Sequence, residues 1–489
     1  FLLRAEKYFD AGFFNISPLE AEKIDPAQRL LMEVTEEAIE NAGLTHQQLA
    51  GSNTGVFVGN WTSDYEHRLR SARQDIDVYA TTGSGRYALS GRLSYIYNLQ
   101  GPSMTVDTAC SSSIVALHVA AQSLRSGDCD MALVGASNTI TDFFVSIGYS
   151  RSGLLSDYGQ CRFGDAKSTG YVRSEGAAMM IVKRLCDALR DNDRIHAVVL
   201  ATATNSDGQS HKNLFAPSAI TQEVMIRKAL RNAGVNPADM VYVEAHGTGT
   251  KAGDPTEIAS IWNAVSDDRT KEDIIYAGSI KTNFGHTEAA AGLAGMLKVI
   301  TALQHKTIPP SLHFEQPNPK VHWDSIGLKI PTQPVPWPED KPLIAGVNTF
   351  GITGSNGHAI LTVVEEDTYV AHPVRTDIFV LPLTAKSEAA LLATAAQWKS
   401  FIETTTHSLQ DVCAMAALRR THFPVRQVFM ANSRQELLDE LQDFIDSNQA
   451  DSNKIFDTED TVKTVFVFPG QGAQWIQMGR ELFETEHVY

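Results

Sequence analysis

The sequence predicts an α/β fold in which mostly parallel central strands are covered by helices. Apolar runs are the first sign. "TGVFVG", "DMALVGA", "GAAMMIV", "IHAVVLATA", "MVYVEA" and "LIAGVN" read as strands, several of them apolar almost throughout, as strands buried on both faces are. Helical patterns between these runs are the second sign. Residues 27–42 and 221–233 are examples, and the latter stops at Gly234 as a C-capped helix would. A repeated order is the third. "TVDTACSSSIVALHVAAQSLRSG" is strand, turn and amphipathic helix, and "GSIKTNFGHTEAAAGLAGMLKVITALQHK" follows the same order with His286 where the first has Cys110. An internal duplication reads this way, and so do two unrelated strand–helix units.

Along the chain, the α/β grammar holds to about Val364. Composition shifts at "EEDTYVAHPVRTD" (365–377), after which "FVLPLTAKSEAALLATAAQWKSFIE" gives a strand and an Ala/Leu-rich helix. "SLQDVCAMAALRR" and "SRQELLDELQDFI" continue that block, and the polar "DSNQADSNKIFDTED" ends it as a flexible segment. From residue 463, "TVKTVFVFPGQGAQWIQMGREL" begins a new strand, glycine turn and helix. A length of 489 residues suits about two to four domains.

Bulk properties exclude several functions. A formal charge of −16 argues against non-specific binding to nucleic acid or to an anionic membrane face. The most apolar run, 289–300, is too short to span a bilayer and carries Lys298. Phe1 is followed by no basic n-region or cleavage site, so nothing points to secretion. Five scattered cysteines form neither a disulfide framework nor a metal-ligand spacing, and a reducing, cytoplasmic home is expected.

Cys110 follows "SMTVDTA" and precedes "SSSIVALHVAAQSL". Ser111, Ser112 and Ser113 are placed to cap the helix, and a thiol at a helix N-terminus is expected to have a lowered pKa. Free cysteines are also commonly buried and inert, so the local sequence leaves both readings open. Cys129, Cys161, Cys186 and Cys413 lack this setting and read as structural.

In "VYVEAHGTGTKAGDPTEIASI", His246 comes directly after a strand, in a turn where α/β folds present catalytic groups. Thr248 and Thr250 are candidates to hydrogen-bond a polar substrate arm, while Asp254 and Glu257 stand where they would cap the next helix. His286, in "SIKTNFGHTEAAAGLAGMLKVI", sits in a similar turn; Lys281 ends a strand, and Asn283 is a candidate to orient the ring. "GVNTFGITGSNGHAILTV" is a glycine-dense turn whose N–H groups suit an oxyanion, or else a plain tight turn. Singly, each histidine reads as a hydrogen-bonded turn residue. One cysteine and two histidines on three strand-to-helix turns read as a nucleophilic site.

Other motifs fail. "GSGRYA" and "GTGTKA" lack a dinucleotide-binding context, and no G-x-S-x-G, Walker A, H-E-x-x-H or C-x-x-C occurs. His118, His211, His305, His313, His322 and His358 have no matching constellation and read as structural.

In this order, "VDTACSSS", "EAHGTGT", "GDPTE" and "KTNFGH" resemble the β-ketoacyl synthase (ketosynthase) domain of type I, modular polyketide synthases. The likeness begins at "FFNISPLEAEKIDPAQRLLMEVTEEAIENAG" and covers 1–364. Residues 365–462, with "LPLTAKSEAAL" and "LRRTHFPVRQVF", are similar to the linker domain between ketosynthase and acyltransferase, and "FVFPGQGAQW" in 463–489 resembles the start of an acyltransferase. The resemblance implies a thiolase-like, duplicated α-β-α-β-α five-layer fold, followed by a small α/β linker domain. It implies a homodimer working with an acyl carrier protein and an adjoining acyltransferase domain. It also implies no metal and no tightly bound cofactor, the phosphopantetheine arm being the substrate carrier. Carried over, Cys110 is the nucleophile, His246 and His286 are the catalytic histidines, and Lys281 and Asn283 support them. Thr248 and Thr250 match the pair that contacts the phosphopantetheine arm, and the backbone N–H groups of Cys110 and Ile352 form the oxyanion hole.

The implied reaction is a decarboxylative condensation of a Cys110-bound acyl chain with a malonyl-type extender on the carrier. Two rivals are a non-elongating ketosynthase that only transfers acyl chains, and a thiolase acting on acyl-CoA, which needs another cysteine near "GITGSNGH". A decarboxylating loading domain would carry glutamine at position 110. The chain departs from the family pattern at Ile352, where a gating phenylalanine is frequent, at Gly164, where phenylalanine is common, and at Ser174, where glycine is usual. The family's first strand and glycine-rich opening would lie before Phe1 and the acyltransferase serine beyond Tyr489, so the chain reads as a fragment without acyltransferase activity.

Overall fold

The structure is a computed structural model that describes residues 8–72, 76–210, 213–364, 378–447, 465–468, 470–472, 474–480 and 483. The chain divides into two units, 1–376 with 410–421, and 377–409 with 422–489.

In the larger unit, helix α1 (Pro26–Asn41) matches the expected 27–42. Asp25 caps it by accepting the Ala27 N–H at 2.8 Å, and Pro26 at the first position is already set for the helix. The first sheet holds β1 (Thr54–Gly59), β2 (Ser103–Val106), β3 (Met131–Asn138) and β4 (Gly176–Lys183), in the order β2-β1-β3-β4. β1 is parallel to β2 and β3, and β4 runs antiparallel to β3. Helix α2 (Ser112–Ser126) follows β2.

The second sheet holds β5 (Val198–Ser206), β6 (Tyr242–Glu244), β7 (Ile275–Gly278), β8 (Leu328–Lys329), β9 (Ala345–Phe350) and β10 (Ser355–Thr362), in the order β5-β10-β9-β6-β7-β8. Helices α3 (Ala219–Ala233) and α4 (Gly253–Val265) flank it, and α5 (Ala291–Gln304) follows β7. α3 matches the expected 221–233 and ends at Gly234 with φ 66°, a left-handed C-cap.

Period-two alternation sorts the strand residues into three cores. Val56, Val58 and Leu133 face α1 with Leu31, Met32 and Ile39. Phe57 and Val134 point the other way, to Ile114 and Leu117 of α2 and Leu293, Met296 and Val299 of α5. Val243, Ala277 and Ile360 meet Met225 and Ile226 of α3 and Ile258 and Ile261 of α4 on the far side of the second sheet. Helix, sheet, helix, sheet, helix: these are the five expected layers.

The duplication is also visible. β2-β1-β3-β4 and β7-β6-β9-β10 repeat one order, with the last strand antiparallel in both. The register read from sequence needs correction. A 3-10 turn opens each central helix, Ala109–Ser111 before α2 and Glu288–Ala290 before α5, and its first residue has positive φ in both, 53° at Ala109 and 45° at Glu288. Cys110 therefore matches Ala289, three positions beyond His286.

In the smaller unit, β11 (Phe379–Ala385) pairs antiparallel with β12 (Val425–Ala431), and α6 (Glu388–Thr404) and α7 (Arg434–Ser447) complete it. Leu381, Leu391, Ala395, Ile402, Phe429, Leu437 and Leu441 are among its buried residues. Residues 410–421, expected in this block, group with the larger unit. The Thr421 hydroxyl accepts the His46 N–H at 3.0 Å, and Arg420 pairs with Glu40 at 2.6 Å. The expected boundary 365–377, the flexible segment, His211 and much of 463–489 lie outside the described residues. Among the described residues no helix is long and apolar enough to cross a membrane.

Candidate active site

Cys110 sits in the middle of the first 3-10 turn, directly after the strained Ala109. The following serines do not cap α2. Ser112 Oγ accepts the Thr108 N–H at 2.9 Å and donates to Ala109 O at 2.6 Å, while Ser111 Oγ donates to Thr108 O at 2.9 Å. They pin the turn, because its own groups lie closer to the hydroxyls than the helix N–H groups do. The helix end does not lower the thiol pKa either. Desolvation, followed by the Glu288 charge, pushes Cys110 up to about 12, against smaller opposing effects of Lys281, its own N–H and Arg173. At neutral pH the Cys110 side chain is a thiol. Iodoacetamide alkylation of Cys110, followed by peptide mass spectrometry, is therefore expected to accelerate about tenfold per pH unit from about pH 7 to 10. A plateau below about pH 9 would show a thiolate already present.

His246 is set by buried carboxylates. Its N–H donates to Glu257 Oε1 at 2.7 Å and the Gly247 N–H to Oε2 at 2.8 Å; Asp254 accepts the N–H groups of Gly249 at 3.0 Å and Gly164 at 2.8 Å. Asp254 and Glu257 thus brace the preceding loops and do not cap α4, whose N-cap, Ala252, makes no side-chain bond. They lie beyond the N-cap position, pointing back toward the turn. Burial raises both, Asp254 to about 7. Thr250 Oγ1 accepts the Gly253 N–H at 3.2 Å and lies 3.3 Å from Thr248 Oγ1, leaving a hydroxyl pair beside the His246 turn.

The His286 main chain is clamped by the segment before β4. Its N–H donates to Val172 O at 2.7 Å and its carbonyl accepts the Ser174 N–H at 2.9 Å. Its Nδ1 accepts the Glu288 N–H at 3.1 Å, so the ring proton sits on Nε2, which is buried with no hydrogen-bond partner among the described residues. Among the described residues Asn283 makes no bond to this ring: it lies exposed on the short helix Lys281–Phe284, where its Oδ1 accepts from the Thr282 hydroxyl at 3.4 Å. Lys281, expected to end a strand, is the first residue of that helix; it is 3% exposed, and burial lowers its pKa.

The two imidazoles touch edge to face, with centroids 5.1 Å apart; Phe350 flanks His246 at 5.6 Å and Tyr171 flanks His286 at 5.1 Å. Burial and Lys281 hold both rings well below 6.5, so both are neutral at pH 7. The turn after His286, Glu288–Ala290, packs against the Cys110 turn. The paired imidazoles thus lead directly into the turn that packs on the Cys110 turn.

The glycine turn lies against the Cys110 turn. A Cβ on Gly351 would lie 2.4 Å from Thr108 O, so only glycine lets this turn lie on the Cys110 turn. Ile352 N–H has no partner among the described residues. The Cys110 N–H belongs to the first turn of a helix, where N–H groups lack an internal acceptor. At Gly164 the backbone has φ 70°, and a Cβ would lie 2.2 Å from Ile330 Cδ1, so a phenylalanine does not fit there. The aromatic bulk is supplied one residue earlier by the fully buried Phe163.

Arg173 and Glu288 were not singled out by sequence reasoning. Arg173 grips Glu288 with two bonds, Nε to Oε1 at 2.7 Å and NH2 to Oε2 at 2.9 Å, with side chains 4% and 0% exposed. "GYVRSEG" and "GHTE" each contain one partner, but 115 positions separate them and no local pattern joins them. Glu288→Ala is expected to lower the unfolding free energy by about 3–5 kcal/mol, the cost of stranding one member of a buried pair. Urea denaturation followed by tryptophan fluorescence measures it, and a loss below about 1 kcal/mol would count against the pair as a structural tie. Among the described residues no group of three His, Cys, Asp or Glu side chains could hold a metal.

Comparison with known proteins agrees with this geometry. The β-ketoacyl synthase N-terminal domain matches residues 1–188, the β-ketoacyl synthase C-terminal domain 196–315, and the ketoacyl-synthetase C-terminal extension 317–430. Polyketide synthase GfsB of Streptomyces halstedii is 40% identical over 98% of this chain, which spans 9% of that protein. The highly reducing polyketide synthase ACTTS3 of Alternaria alternata is 40% identical over 98% of this chain, which spans 20% of it. Among solved structures, the ketosynthase from module 6 of the bacillaene synthase of Bacillus subtilis 168 superposes with a TM-score of 0.82 at 33% identity, covering 91% of this chain and 75% of that one. The oxazolomycin ketosynthase domain OzmH KS7 of Streptomyces albus JA3453 gives 0.80 at 33%, covering 90% and 76%.

Proposed function

This chain belongs to the β-ketoacyl synthase family, and from that premise we propose that it is the elongating ketosynthase of a type I, modular polyketide synthase, an acyltransferase-class enzyme. One observation carries the reading: a neutral His286, with its Nε2–H buried and without a partner among the described residues, touches His246 and leads into a turn packed against the Cys110 turn.

In the first half-reaction the Cys110 sulfur attacks an acyl thioester on a phosphopantetheine arm held by Thr248 and Thr250. A new C–S bond forms, the arm's C–S bond breaks, and the thiol proton leaves with the arm's sulfur. In the second, a malonyl-type extender on acyl carrier protein loses CO₂, and the electron pair moves into an enolate. His246 and the Nε2–H of His286 hydrogen-bond the enolate oxygen, and burial, aided by Lys281, keeps both rings neutral. The carbon attacks the Cys110 thioester. Its tetrahedral oxygen is held between the N–H groups of Cys110 and Ile352; collapse breaks the C–S bond and expels the Cys110 thiolate, which takes one proton from solvent to return to the thiol.

The linker assignment for 365–462, the acyltransferase start at 463–489 and an adjoining acyltransferase partner rest on the same premise, as does a cytoplasmic location. We assign a homodimer contact to β2, an edge strand with one neighbour and exposed Ser103 and Met104.

Incubation with an acyl-pantetheine donor and then malonyl carrier protein tests this, with intact-protein mass spectrometry as readout. The expected result is acyl-enzyme followed by a β-ketoacyl carrier. Acyl-enzyme without condensation product would favour the transfer-only role.

A further inference from the structure

We propose that His358 is a positioning residue for condensation: its Nδ1–H fixes the amide of Asn348, which fixes Glu257 and so the His246 turn. The inference rests on the function proposed above. His358 lies on β10 directly across from Asn348 on β9, and the two side chains meet at 2.6 Å, Nδ1 to Oδ1. Asn348 Nδ2 donates to Glu257 Oε1 at 3.0 Å, and that same oxygen accepts the His246 N–H at 2.7 Å. All three side chains are buried, His358 at 0% exposure.

The direction of the chain follows from what each group can do. The Glu257 carboxylate accepts only, so the Asn348 amide must turn its NH₂ toward it. The amide oxygen then faces His358 and needs a donor, which places the ring proton on Nδ1. Burial lowers the His358 pKa to about 3, so the ring remains this neutral donor. Without it, the buried Asn348 oxygen loses its donor and the amide its second anchor, so its hold on the carboxylate that sets His246 loosens.

One detail separates this role from packing. With the proton on Nδ1, Nε2 is a bare acceptor, buried and without a partner among the described residues, beside Gly346. A buried unsatisfied acceptor is a standing cost that leucine of similar size would avoid. A polar ring is retained there although packing alone disfavours it.

The test compares His358→Asn, His358→Gln and His358→Leu in this chain. Asparagine places an amide N–H near the Nδ1 position, glutamine places one near Nε2, and leucine supplies none. Acylation of Cys110 by acyl-pantetheine is expected to stay within about threefold of wild type in all three, because His246 is moved and Cys110 is not. Condensation is expected to fall about 10–100-fold in the leucine and glutamine variants, the scale of a small misplacement, and to stay within about threefold in the asparagine variant. A glutamine variant that condenses as well as asparagine overturns the role, as does a parallel loss of acylation and condensation tracking lower melting temperature. A second readout needs no activity: in ¹⁵N-histidine spectra, His358, assigned by its absence in His358→Asn, should show a protonated Nδ1. A protonated Nε2 overturns the proposal even if leucine at 358 prevents folding. Absence of condensation by wild type, with Nδ1 protonated, would overturn the proposed function and leave the hydrogen-bond chain standing.

Discussion

Cys110→Ala is expected to abolish both half-reactions, with condensation falling about 10⁴-fold or more, the scale on which loss of a covalent nucleophile is felt. The variant has nowhere to put the acyl group, so the mass increment seen in wild type should vanish. Four other thiols make this a sharp test. Cys129, Cys161 and Cys413 are buried, and burial raises the pKa of each, Cys161 to about 11. Cys186 is the one exposed thiol of the five and is open to adventitious acylation. Peptide mapping separates the cases. An acyl group still found in Cys110→Ala at any position other than 186, or condensation above about one per cent of wild type, would remove Cys110 from the mechanism.

The second large effect is a split. His286→Ala is expected to retain Cys110 acylation within about threefold and to lose condensation about 10²–10³-fold, the usual consequence of deleting one donor aimed at developing negative charge. Acylation does not need the Nε2–H, because the thiol proton leaves with the departing sulfur. Decarboxylation does, because the enolate oxygen appears where His246 and His286 converge. Release of CO₂ from malonyl carrier protein should fall with condensation, which places the defect before carbon–carbon bond formation. A folded His286→Ala that condenses at more than a third of the wild-type rate would sink the enolate role. The variant also strips the Glu288 N–H of its acceptor, an added stability loss of about 1–3 kcal/mol that thermal unfolding would register separately.

Much of the fold was legible because strands buried on both faces must be apolar throughout, and "TGVFVG" and "DMALVGA" are. The helix at 27–42 and the Gly234 stop were legible for the same local reasons. Cys110, His246 and His286 stood out because each follows a strand and opens a small-residue turn. What escaped depends on groups far apart in sequence. Arg173 and Glu288 become partners only when β4 and α5 meet. Asp254 and Glu257 look like caps until the fold brings the Gly164 and His246 turns over them. The thiol's ionisation was misjudged because a helix terminus is a local feature, whereas loss of solvent around the sulfur is not. The three-residue error in aligning the repeats has a similar origin, since positive φ at Ala109 and Glu288 leaves no mark in residue type.

The repeated kink at Ala109 and Glu288 bears on how such a protein can be inherited. One copy of the strand–turn–helix unit presents a reactive atom, and the other offers the counter-charge that Arg173 needs. Cys110 and Arg173 both precede β5, whereas His246, Lys281, His286 and Glu288 all follow its start. A genetic crossover between β4 and β5 would pass cleanly between two sheets, yet would join one parent's Arg173 and nucleophile to the other's Glu288 and histidines. A chimera joined here is therefore expected to fold only when its parents agree on that buried pair.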